Sequence, residues 1–83
     1  MNHRRSETTI ISEILRAALK EPGITKVMYS ANLNHGAAEE YLDQLLKKGL
    51  IEIIAELPRR KYRTTLRGKQ VLIHLEEVAQ LLQ

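Results

Sequence analysis

A mainly α-helical domain with one small β-hairpin, in the order helix, helix, helix, hairpin, helix, is what this 83-residue chain predicts. Three observations carry that expectation. Apolar residues recur at three- and four-residue spacing in separate stretches, as on one face of a helix. Stop and cap residues fall between those stretches. A short β-branched run lies in the second half, with a possible partner strand seven residues beyond it.

In the first helix, expected over about 7–20, Ile10, Ile11, Ile14, Leu15, Ala18 and Leu19 share one face. Ser6 is a suitable N-cap, and Glu21-Pro22-Gly23 is a stop signal. Thr25 can cap a short second helix running through Ala31, with Val27, Met28 and Ala31 available for burial. Asn32-Leu33-Asn34 interrupts the pattern, and Asn34 caps a third helix whose Ala38, Tyr41, Leu42, Leu45 and Leu46 repeat the helical spacing. Gly49 stands where a helix needs a left-handed residue after its end, and Leu50 supplies the apolar contact that accompanies such an ending.

Leu50 to Ala55 reads as a strand and Tyr62-Arg63-Thr64 as its antiparallel partner across the Leu57–Lys61 loop. Thr65 then caps a last helix, with Val71, Leu72, Leu75, Val78, Ala79 and Leu82 on one side. No linker, repeat or low-complexity segment interrupts this order. A single domain over 1–83 is expected, with a basic arm at 1–5 and the terminal helix at 66–83.

Composition narrows the function classes. With no Phe or Trp, the core must come from aliphatic side chains and the three tyrosines, which leaves little room for a large cofactor pocket. The absence of cysteine removes disulfides, thiolate zinc sites and thiol catalysis, and is compatible with a reducing cytosol. No apolar run approaches the roughly 20 residues that span a bilayer, and no signal-peptide block follows the N-terminus. A soluble, cytoplasmic, nucleoid-associated protein is therefore expected, without membrane contact. His3, His35 and His74 are too scattered to form a close-spaced ligand pair, Asp43 is the only aspartate, and neither a phosphate loop nor a nucleophile elbow is present. Neither an enzyme nor a metal site is expected, and no cofactor or small-molecule ligand is evident.

The charge is local. Arg59, Arg60, Lys61, Arg63, Arg67 and Lys69 fall between Pro58 and Lys69 without an acidic residue among them, Arg4 and Arg5 lie at the N-terminus, and the remaining segments are net negative. A basic stripe on mildly acidic surroundings steers a polyanion toward one face.

A short helix, a three-residue turn and a longer helix, followed at once by a two-stranded hairpin, is the connectivity of a winged helix-turn-helix. Met28-Tyr29-x-Ala31-Asn32-Leu33, Tyr41-Leu42-x-x-Leu45-Leu46-x-x-Gly49-Leu50 and Tyr62-x-Thr64-Thr65-x-x-Gly68 resemble the archaeal winged-helix DNA-binding regulators over nearly the whole chain. The resemblance implies double-stranded DNA as partner and, for some members, dimerisation through a C-terminal helix. These motif residues have packing or capping explanations of their own, so contacts must be sought among exposed residues.

The N-terminal end of the second helix of a helix-turn-helix meets base edges. Here that end offers Asn34, His35, Gly36, Ala37, Glu39, Glu40 and Gln44. His35 and Gln44 can bond to bases, and Gly36 and Ala37 allow close approach. Glu40 can accept from cytosine, although with Glu39 it places negative charge toward a polyanion. Phosphate contacts are expected from Arg59, Arg60 and Lys61 at the hairpin tip, Arg63 on the return strand, Lys26 and Ser30 on the second helix, and Arg4 and Arg5 on the arm. Val71, Leu75, Val78 and Leu82 follow a 4-3-4 spacing on the last helix and form the candidate homodimer seam. A protein-binding winged helix, using the acidic third helix and apolar fourth, is the alternative to DNA binding.

Overall fold

A computed structural model describes residues 6–83. The elements follow the expected order: α1 (Glu7–Ala18), α2 (Ile24–Ala31), α3 (His35–Lys47), β1 (Ile51–Ala55), β2 (Lys61–Thr64) and α4 (Leu66–Leu81). The arm at 1–5, with Arg4 and Arg5, lies outside the described residues.

Local chemistry accounts for most boundaries. Ser6 Oγ accepts from the Thr9 amide at 3.2 Å and opens α1. That helix ends at Ala18 rather than near residue 20, because its final turn tightens into i→i−3 bonds, Leu19 N to Arg16 O at 3.3 Å and Lys20 N to Ala17 O at 3.1 Å. Glu21, not the nearby Gly23, takes the left-handed conformation, with φ 58°. Thr25 does not cap α2. Gly23 is the N-cap residue and its carbonyl accepts from Val27 N at 3.3 Å, so the helix begins at Ile24 and encloses Thr25.

The helix-turn-helix joint is built from three residues with separate tasks. Asn32 adopts the left-handed conformation (φ 53°), and Leu33 N reaches back to Met28 O at 2.9 Å, closing α2 in a Schellman arrangement. Leu33 packs against the core. Asn34 Oδ1 accepts from Ala37 N at 2.8 Å and opens α3. The far end of α3 repeats the device, with Gly49 at φ 71° and Leu50 N bonded to Leu45 O at 3.0 Å. Leu50 is thereby spent on the helix ending, and β1 starts one residue later than expected.

The hairpin pairs Ile51 with Thr64, Glu52 with Arg63, Ile53 with Tyr62 and Ala55 with Lys61, with a register shift between Ile53 and Ala55. One face of it joins Ile14, Leu15, Ala18, Val27, Ala31, Leu42, Leu45 and Leu72 in a single core through Ile51 and Tyr62. Each large aliphatic side chain buried there is worth about 1.5–3 kcal/mol. Only Tyr62 of the three tyrosines is in the core; Tyr41 is half-buried and Tyr29 is 82% exposed. Leu19, expected on the core face of α1, is also exposed, because it lies beyond the helical part of that segment.

The closing motif is explained by four contacts. Tyr62 fills the core, Thr64 Oγ1 donates to Leu15 O at 2.7 Å, and Thr65 Oγ1 donates to Gly49 O at 2.7 Å while accepting from Gly68 N at 3.1 Å. Gly68 is buried where a Cβ would collide with the Leu50 carbonyl. These bonds hold α4 at the base of the hairpin, and Arg16 pairs with Glu76 at 2.7 Å to tie it to α1. Beyond Leu72 the helix becomes progressively open. Leu75 is half-buried, whereas Val78, Leu81 and Leu82 are exposed. Among the described residues no helix is long and apolar enough to cross a membrane.

Candidate nucleic-acid interface

The candidate interface begins at the corner between α1 and α2. Tyr62 N donates to Pro22 O at 3.0 Å, which seats the start of β2 against that corner. A Cβ on Gly23 would lie 3.6 Å from the Arg60 carbonyl, so the hairpin backbone passes close to the start of α2. A groove of about 800 Å³ is left between α2, the first turn of α3 and the hairpin.

Lys26, Tyr29, His35, Glu39, Arg59, Arg60 and Lys61 are among the residues lining it. Four cations from two distant parts of the chain therefore face one carboxylate. Lys26, Arg59 and Lys61 make no ion pair among the described residues, which leaves their charge available to an anion. Glu39 sits 3.5 Å from His35 across one helical turn, so the two share the mouth of the groove at the start of α3.

The remaining hairpin arginines are already engaged. Arg60 Nε donates to Glu56 Oε1 at 3.0 Å, closing the five-residue tip. Bonding to the Glu56 carboxylate, and then to Tyr62, pushes the Arg60 pKa further above its ordinary value. Arg63 bonds to its cross-strand partner Glu52 at 3.1 Å and lies 3.7 Å from Glu21 at the end of α1. The sequence places no acid among these cations, yet the fold brings three glutamates to two of them.

The other expected positions are distributed around this groove. Asn34 has its carbonyl oxygen occupied in the α3 cap, Gly36 is exposed and Ala37 half-buried. Glu40 and Gln44 are exposed farther along α3 and line neither this groove nor its neighbour. Ser30 lines that neighbouring groove, of about 660 Å³, together with Lys26, Lys61, Arg16 and Lys20. Arg67 and Lys69, part of the same basic run in sequence, belong to α4 and are exposed there.

Tyr29 is a groove-lining residue that the sequence does not single out as a contact. Composition alone puts all three tyrosines in the core, whereas Val27 and Ala31 define the buried face of α2 and place Tyr29 off it. Its separation from Lys26 by three residues puts the two side by side on the helix surface. Among the described residues, no group of three or more His, Cys, Asp or Glu side chains could hold a metal ion.

Comparison with known proteins agrees with this architecture. A family model described as winged helix-turn-helix matches residues 4–83. Among solved structures, Sso10a-2, a DNA-binding protein from Sulfolobus solfataricus, is 39% identical with a TM-score of 0.86, covering 93% of this chain and 81% of that one. The transcriptional regulator BldR, also from Sulfolobus solfataricus, is 24% identical with a TM-score of 0.79, covering 89% of this chain and 56% of its own. FabT from Streptococcus pneumoniae, solved in complex with DNA, is 20% identical with a TM-score of 0.70, covering 92% of this chain and 54% of its own. This chain thus spans little more than half the length of those two proteins. No curated protein matches it. By these descriptions one of the three is a DNA-binding protein, one a transcriptional regulator and one was solved with DNA bound, and the first two come from an archaeon, as the motif resemblance suggested. Its matched span, together with the likeness to Sso10a-2, establishes that the chain belongs to the winged helix-turn-helix family.

Proposed function

We propose that this protein binds double-stranded DNA as a transcription regulator or chromatin-associated factor, with the first turn of α3 at base edges and the hairpin, as the wing, on phosphates. One observation carries the reading: Lys26, Arg59 and Lys61, from separate elements, converge unpaired on the groove beside the α3 N-terminus. The DNA-binding relative Sso10a-2 supports it at the level of the whole domain.

Lys26, Arg59 and Lys61 are the principal phosphate contacts, with Tyr29 beside them offering a hydroxyl and a ring face. His35 stands at the base-reading end. Arg60 and Arg63 exchange a carboxylate for a phosphate on binding, so their main part is to shape and hold the wing. The exposed Val78 and Leu82, continued by Leu75 and Val71, form a homodimer seam that gives two copies of α3 a fixed spacing on the duplex.

A salt titration of binding to random and selected duplexes tests this. Three to five neutralised phosphates predict a log–log slope of about −3 to −4.5. A folded protein that shows no retention on duplex DNA at low salt refutes the proposal and favours the protein-binding alternative.

A further inference from the structure

The tip of the wing carries an apolar side chain with nowhere to go. Leu57 is 85% exposed, the most exposed of the large hydrophobic residues described. A lone exposed leucine on an ordinary surface needs no explanation. This one stands at the end of a hairpin whose Ile51, Ile53 and Tyr62 turn to the core, and it is followed at once by Pro58 and then by Arg59.

The turn around it is closed rather than loose. The Glu56–Arg60 bond, at 3.0 Å, spans the base of the tip, so Leu57, Pro58 and Arg59 are presented together at its end. That bond also matches the charge of Glu56, the one carboxylate within the tip, which would otherwise repel a phosphate backbone beside Leu57. What projects is a short apolar wedge with an unpaired guanidinium next to it. Such a pair suits a nucleic-acid groove: the cation is drawn by the phosphates and the narrow minor groove, and the apolar group gains by leaving water between base pairs.

We infer that Leu57, backed by Pro58, is a wedge that enters the minor groove flanking the α3 site, partly unstacks one base step and bends the duplex. This rests on the DNA-binding reading above. The wedge confers a preference on a position no hydrogen-bonding side chain reads, because pyrimidine–purine steps such as TA and CA unstack most readily.

The test uses the full chain and duplexes of about 25 base pairs carrying 2-aminopurine at a TA step, with fluorophores at the two ends. Wild type is expected to raise 2-aminopurine fluorescence at least about twofold at one register and to shorten the end-to-end distance by a bend of roughly 20–90°. Leu57→Ser should abolish the fluorescence rise and straighten the DNA while leaving the salt slope unchanged; Leu57→Met should retain both signals. The exposure of Leu57 allows these variants to fold, and matching thermal melts confirm it. Binding by wild type with 2-aminopurine still quenched and the duplex straight overturns the wedge alone, as does an undiminished signal from Leu57→Ser. A folded chain that binds no duplex at low salt overturns the DNA reading itself, and the wedge with it.

Discussion

Gly68, on the first turn of α4, faces the carbonyl of Leu50 with no room for a side chain between them, and Thr64 Cγ2 would stand 2.7 Å from any Cβ placed there. The contact joins the start of the last helix to the end of α3. Backbone, not a flexible side chain, blocks the space.

Gly68→Ala should therefore destabilise the protein although alanine is favoured over glycine in a helix by ~1 kcal/mol. A net loss of about 3 kcal/mol is expected, in the upper part of the overpacking range, lowering Tm by more than about 10 °C in a domain of this size. Thermal circular dichroism measures it. Gly36→Ala is the control: its Cβ would meet only Asn34 Oδ1, at 3.7 Å, so no loss is expected there.

The buried Thr64 hydroxyl gives a second stability test. Thr64→Val keeps the shape but deprives the Leu15 carbonyl of its 2.7 Å donor, at a cost of about 1–2 kcal/mol. Thr64→Ser keeps the bond, and any loss it shows comes from the missing methyl. Denaturant unfolding of both variants separates the two contributions, and a Thr64→Val variant as stable as the wild type would show that the hydroxyl contributes nothing.

On the wing, Arg59 and Lys61 should dominate the salt dependence. Replacing both by alanine is expected to make the log–log slope shallower by about 2, with weaker binding at every sequence alike. Arg63→Ala should change the slope far less, since Glu52 and Glu21 already surround that guanidinium. Glu56→Gln should tighten binding by releasing Arg60 from its partner. A slope that responds to Arg63 as strongly as to Arg59 would reverse these assignments.

Glu39, beside His35 at the groove mouth, is expected to oppose the polyanion. Glu39→Gln should strengthen binding to random duplexes and leave the fold intact, because the side chain is exposed. Fluorescence anisotropy with random duplex measures the change. Weaker binding would mean that this carboxylate contributes a contact of its own.

For assembly, Val78→Glu should convert a homodimer into a monomer, because a charge at an apolar seam must be desolvated or must part the subunits. Val78 is 52% exposed in the single chain, so folding should be unaffected. Sedimentation velocity at micromolar concentration reads the change directly. A wild-type monomer would remove the seam from the mechanism.

What the sequence made legible were features whose physics is local. Ser6, Asn34, Gly49 and Thr65 each begin or end a helix within a few residues of themselves, and their neighbours in the sequence mark all four. Tyr62 and Tyr29 were not told apart, since one is buried by the hairpin's register and the other exposed by the rotation of a two-turn helix. The pairing of Arg63 with Glu21 joins residues 42 positions apart and depends on how the hairpin meets the α1–α2 corner. The unpaired state of Lys26, Arg59 and Lys61 was hidden for the same reason. Charge is written in a sequence; the neutralisation of charge is not.

The bond from Tyr62 N to Pro22 O gives the wing its footing on a different part of the chain from the one that carries α3. On the DNA-binding reading, the hairpin and α3 are thus mounted on one frame like the jaws of a fixed caliper. A duplex whose grooves do not match the gap cannot draw the jaws together without prising the hairpin off its corner. On that reading the misfit falls on the DNA, and the domain is expected to favour sequences that bend willingly to its gauge.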